Sequence, residues 1–95
     1  MKKLRSIFTD DMNHCYFTGY APVERHHVFG GPYRTQSEVR GFVVPLRLDL
    51  HPNGASVGKQ GEEVDKFLKE TAQRYYEEFY GTRDDFIREF GKSVL

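Results

Sequence analysis

The stretch "VERHHVFGGPYR", residues 23 to 34, sets two histidines side by side, His26 and His27, and follows them with a glycine pair. Imidazole suits two kinds of chemistry. Its ordinary pKa lies near neutrality, so it can take a proton from water, and its neutral form is a common ligand for divalent metals. A third histidine, His51, closes the next apolar run, "FVVPLRLDLH". The plain alternative for the adjacent pair is two surface or hydrogen-bonded imidazoles with no chemistry. Neighbouring residues of a regular strand point to opposite faces, so a site shared by His26 and His27 requires a twist, a strand end or a bulge near Gly30.

The elements that must position these residues follow from punctuation and period. Residues 1 to 13 read as an extended or loosely ordered arm, leaving 14 to 95 as the domain. "HCYFTGYAPVERHHVF" has two β-prone pieces divided by Gly19 and Pro22, which predicts a hairpin-like arrangement. "GGPYRTQSEVRG" reads as a loop with at most a short helical turn around Ser37 to Arg40. "FVVPLRL" is apolar and β-branched and predicts a strand, with Pro45 confining it to an edge or a bulge. "DLHPNGASVGKQG" carries the turn signal Pro52-Asn53-Gly54 and predicts a loop.

From Glu62 the apolar period changes from two to about 3.6 residues, as an amphipathic helix requires. Val64, Phe67, Leu68, Ala72, Tyr75 and Phe79 mark one face of a long helix that stops at Gly81, with Glu62 and Glu63 at its positive end. Thr82 followed by Asp85 predicts a capping box for a second helix carrying Phe86, Ile87 and Phe90 and ending at Gly91. The aromatic stripe on both helices reads as core. The expected fold class is α+β, a small single domain with a short strand pair and two C-terminal helices.

Ninety-five residues make one modest core. The net charge of zero hides an asymmetry. Residues 1 to 47 hold seven of the fourteen Lys and Arg against four of the fourteen acids, and the remainder holds seven against ten. The histidines lie in the basic half, which favours an anionic ligand without the basic excess of a dedicated DNA-binding domain. A lone cysteine, Cys15, excludes an internal disulfide and a multi-cysteine zinc knuckle. With no signal-peptide pattern and no segment apolar enough to span a membrane, the expected compartment is the cytoplasm.

The pattern "RHHVFGG…R…SE…GFVVPLRLDLH" resembles the HNH (ββα-metal) endonucleases, in particular a small phage-type group related to recombination-enhancement nucleases. The likeness continues through "LKETAQRYYEEFYGTRDDFIREFGKSVL", which is similar to the group's closing helices and their "FGK-x-x-Leu" end. It covers nearly the whole chain from Cys15 onward. The resemblance implies a metal-dependent DNA endonuclease acting in phage recombination or replication, in the bacterial host cytoplasm. Hydrolysis of a phosphodiester by that mechanism needs an imidazole base for the attacking water and a divalent metal on the scissile phosphate. The resemblance makes His26 a metal ligand, His27 the general base and His51 a second ligand.

Two departures from the group's pattern bear on this. The group often places a histidine seven residues after the one matching His51, where this chain has Gly58, and it often carries Cys-x-x-Cys ahead of the paired histidines, where this chain has Cys15 and Thr18. A site of two imidazoles and few carboxylates holds Mg²⁺ poorly and favours Zn²⁺, Ni²⁺ or Mn²⁺. His14 is a candidate substitute ligand or an exposed loop histidine, and Asp49 and Asn53 are read as loop residues rather than direct ligands.

Arg25, Arg34, Arg40 and Lys59 are the cations nearest the motif and the candidate phosphate contacts, with Arg34 preferred because the resemblance puts an arginine there. Tyr33 beside it either stacks on a base or covers the loop. The competing expectation is an HNH-like protein without full metal coordination that works by binding nucleic acid or by inhibiting a host protein.

Overall fold

The computed structural model describes residues 5 to 47 and 59 to 95, with the side chains of Lys59 and Gln60 left outside the description. In chain order it contains strand β1 (Glu24–His27), a 3₁₀ turn (Gly31–Tyr33), helix α1 (Arg34–Arg40), strand β2 (Val43–Leu46), helix α2 (Lys59–Phe79) and helix α3 (Arg83–Phe90). The fold is a small α+β domain in which the two strands form an antiparallel sheet and two of the three helices are C-terminal. No helix among the described residues is long and apolar enough to cross a membrane.

The strand partners differ from the expected hairpin. β1 pairs with β2, with His26 opposite Val44 and His27 opposite Val43. The upstream β-prone piece instead closes into a turn, with Gly19 N–H donating to Cys15 C=O and Cys15 N–H to Tyr20 C=O, both at 2.8 Å. That turn covers the outer edge of β2, where Tyr16 N–H donates to Pro45 C=O at 2.9 Å. A strand residue's N–H and C=O point the same way, so the N–H that proline lacks falls on this outer edge and leaves the β1 pairing intact.

Between the strands the chain is more helical than its glycines suggest. Pro32 opens the 3₁₀ turn, which runs directly into the two turns of α1. Gly41 ends α1 in the left-handed region at φ 81°, and its N–H donates to the carbonyls of Ser37 and Glu38. The expected turn at Ser37 to Arg40 is therefore the second half of a real helix. Residues 5 to 13 form neither helix nor strand and are held against the domain. Ile7 N–H donates to Gly41 C=O at 2.9 Å, and Met12 is buried.

α2 starts at Lys59, three residues before the expected Glu62. Its buried face is the i, i+4 row Leu68, Ala72 and Tyr76, with Gln73 beside it. Phe67 and Phe79, which the apolar stripe placed in the core, sit at the rims of that face and are 48% and 60% exposed. α3 begins with the predicted capping box. Thr82 Oγ1 accepts from Asp85 N–H at 3.1 Å, and Asp85 Oδ2 accepts from Thr82 N–H at 2.9 Å.

Rings make half of the core cluster. Phe29, which follows β1, lies 4.7 Å from Phe90 and 5.5 Å from Phe86 between ring centres, and Phe42 lies 5.6 Å from Phe90. Val28, Val44, Leu46, Leu68, Ala72 and Tyr76 complete the cluster. Edge-on and tilted ring pairs at this spacing add to area burial, and they tie Phe29, just past the histidines, to α3.

Candidate functional site

β1 ends at His27, so the strand-end condition for an unusual use of the two histidines is met. Burial alternates along its last residues as a pleated strand requires. His26 is buried at 4% exposure, and His27 is partly covered on the other face. The two imidazoles therefore belong to different environments.

What faces His27 is α1. Ser37 is fully buried, and its hydroxyl accepts from Phe29 N–H at 3.1 Å and donates to Phe29 C=O at 2.8 Å. This double hydrogen bond fastens α1 to the chain two residues beyond His27. It brings the next side chain, Glu38, within 3.8 Å of His27, measured from Oε1 to Nε2. That separation is within ion-pair reach but longer than a hydrogen bond. The Nε2 atom itself is buried and accepts or donates no hydrogen bond. The Ser-Glu pair was legible in the sequence as part of the resemblance, but nothing in spacing alone assigned Glu38 a task.

Arg25 is exposed on β1 and Arg34 is exposed at the start of α1. Arg40 is a correction. Its Nε and Nη2 donate to the two carboxylate oxygens of Glu89 at 2.7 and 2.9 Å, and its guanidinium lies over Tyr80 and Tyr76 at 4.8 and 5.4 Å. A fork already matched to a carboxylate and covered by two rings has little left for a phosphate, so Arg40 ties α1 to α3 instead. Tyr33 packs on Phe90 with ring centres 6.3 Å apart, which makes it loop cover rather than a free stacking surface.

His14 is an exposed histidine whose Nδ1 lies 2.8 Å from Asp11 Oδ2. The backbone N–H of Asn13 and then the His14 ring hold the Asp11 carboxyl below its ordinary range. Cys15 is a buried free cysteine. Burial raises its thiol pKa, but hydrogen bonds from the Thr18 hydroxyl and from backbone N–H groups at Arg47, Thr18 and Phe17 outweigh this and leave it lowered. His51, Asp49, Asn53 and Gly58 lie outside the described residues, as does the side chain of Lys59.

Clefts open among the described residues. One of about 600 Å³ lies beside the start of β1, between Met12, Asn13, Pro22 and Arg25. Another of about 190 Å³ is floored by Phe29, Tyr33 and Phe90 and edged by Lys69 and Lys92. Neither is lined by His26 or His27. No three His, Cys, Asp or Glu side chains converge on a metal-sized site among the described residues. Of the two ligands implied by the resemblance these residues contain only His26, and by themselves they do not make a metal site.

Compared with protein-family profiles, with curated proteins and with solved structures, the chain finds no match in any of the three.

Proposed function

We propose that the chain is a phosphodiester hydrolase of HNH type acting on DNA, with His27 as the general base. The observation that supports this most is the placement of His27. It ends a strand, its ring is largely removed from solvent, and a carboxylate from the next helix stands behind one nitrogen. An imidazole backed by a carboxylate is how many hydrolytic sites orient a base.

His27 takes a proton from a water molecule as the water oxygen bonds to phosphorus. The bond from phosphorus to the 3′-oxygen breaks, and the electron pair leaves on that oxygen, which is protonated from solvent. Arg34 and Arg25, both exposed, are the groups that would draw in and orient the phosphate backbone. His26 and His51 would hold a divalent ion, Zn²⁺, Ni²⁺, Mn²⁺ or Mg²⁺, which when bound supplies Lewis-acid polarisation of the phosphate. The partner is DNA, and phage recombination or replication is the setting that the resemblance implies.

A panel of metals tests this. Purified protein is incubated with supercoiled plasmid and Mg²⁺, Mn²⁺, Ni²⁺, Zn²⁺ or EDTA. Open circles that form with at least one metal and not with EDTA support hydrolysis, and intact plasmid in every lane contradicts it. The absence of a three-donor cluster among the described residues favours a second reading, a protein that binds DNA or a host protein without cutting. Retarded migration of a DNA fragment that stays intact with every metal is the result that reading expects.

A further inference from the structure

The carboxylate that stands behind the proposed base is that of Glu38. Its Oε1 lies 3.8 Å from His27 Nε2, an atom that is buried and makes no hydrogen bond. A buried ring nitrogen with no partner is costly, so the arrangement calls for a group that satisfies it when the site is at work. The Glu38 side chain is 42% exposed, whereas the His27 side chain is 13% exposed. Closing the gap to a charge-assisted hydrogen bond of about 2.8 Å takes a movement of about 1 Å. Such contacts are often long in the free enzyme and tighten when substrate binds.

The double hydrogen bond of Ser37 to Phe29 fixes the start of the α1 turn that carries Glu38, so the carboxylate cannot drift far from the strand. Glu89, the other carboxylate that meets α1, is occupied by Arg40 and Tyr76. A carboxylate accepts and does not donate, so its approach to Nε2 selects the ring form that carries hydrogen there.

We propose that Glu38 is a positioning residue for His27, holding the imidazole in the Nε2–H form so that Nδ1 presents its lone pair to the attacking water. This rests on the assignment of His27 as base, and it gives the Ser37-Glu38 pair a physical purpose. Ser37 fixes the helix to the strand, and Glu38 fixes the ring.

Two readouts separate this inference from the function it serves. In the first, ¹⁵N shifts of the His27 ring are recorded in the native protein and in Glu38→Ala at a pH where the ring is neutral. The inference expects the Nε2–H form in the native protein and a mixture of the two forms in Glu38→Ala. A native ring in the Nδ1–H form, or the same mixture in both proteins, overturns it, whether or not the protein cuts DNA. In the second, Glu38→Ala and Glu38→Gln are compared with native protein in plasmid nicking. The inference expects kcat to fall about 10- to 100-fold in both, with KM for plasmid within about twofold and the circular-dichroism melting curve unchanged, a part of what a general base itself supplies. An unchanged kcat in both variants, or a loss that only tracks a lowered melting temperature, contradicts it. A native protein that never cuts defeats the nuclease proposal and leaves the ring measurement to decide the role of Glu38.

Discussion

Replacing Arg40 by methionine keeps a long stem over Tyr80 and removes the fork that Glu89 accepts. Glu89 is 15% exposed and Arg40 31%, and the pair carries two hydrogen bonds of 2.7 and 2.9 Å, with a third from Tyr76 Oη at 2.9 Å. Such a pair falls between an exposed ion pair, worth up to about 1 kcal/mol, and a fully buried one, whose breaking costs about 3 to 5 kcal/mol. Arg40→Met should therefore cost about 2 kcal/mol at pH 7, lowering Tm by about 10 °C for a chain of this size. Glu89→Leu in the same chain should recover part of that loss, because the stranded carboxylate is gone.

The pH dependence has a definite sign. Burial raises the Glu89 pKa, but the Arg40 guanidinium and the Tyr76 hydroxyl outweigh it and hold the carboxyl below its ordinary range. The same contact raises the Arg40 pKa, so the two partners agree in direction. A depressed carboxyl contributes stability that is complete above the unfolded-state value, about 4.3 for glutamate, and is lost as pH falls through the lower folded value. The gap between native protein and Arg40→Met in urea titrations should be full at pH 7 and shrink steadily below about pH 4. A gap under about 0.5 kcal/mol that does not change with pH would refute the claim that this network is a structural tie, and would reopen Arg40 as a phosphate contact.

Three further outcomes follow from local geometry. Ser37→Ala should cost about 2 kcal/mol in chemical denaturation, because it leaves the buried N–H and C=O of Phe29 without partners. Thr82→Ala should cost about 1 kcal/mol by removing half of the capping box that starts α3, measured as a fall in Tm. Gly91 sits at φ 94°, and a Cβ there would collide with the Tyr33 hydroxyl, so Gly91→Ala should lower Tm. Tyr33→Phe in that background should recover the collision part of the loss but not the backbone part, so full recovery or none would contradict the geometry.

The two C-terminal helices were the most legible part of the sequence, because Thr82, Asp85 and Gly91 mark the ends of α3 by local chemistry that tertiary contacts do not override. α1 was less legible. A segment opened by Gly30, Gly31 and Pro32 looks like a loop, yet proline at the start of a 3₁₀ turn and Gly41 at the end of a helix are capping devices, and they enclose seven helical residues. The strand pairing was hidden for another reason. Residues 14 to 20 have strand-forming residue types, but Gly19 in the left-handed region at φ 76° closes a turn there, and β1 finds its partner across α1. In α2 the apolar stripe was wider than the face the core accepts. Phe67 lies off the row of Leu68, Ala72 and Tyr76 and meets Phe17 at the surface, ring centres 5.9 Å apart.

The candidate site was legible in its residue types and not in its arrangement. His26 and His27 stood out as a pair, but only the end of β1 and the Ser37 anchor put a carboxylate behind one of them. Arg40 could not be told from Arg25 by sequence, since what engages Arg40 is Glu89, 49 residues away.

The most direct test of the account is the rate of plasmid nicking by His27→Ala against native protein, in the metal that best supports cutting and with EDTA as the blank. The account predicts metal-dependent nicking by the native chain and a rate lower by about 100-fold or more in His27→Ala, the loss expected when a general base is removed. Equal rates for the two folded proteins would contradict the assignment of His27 as the base.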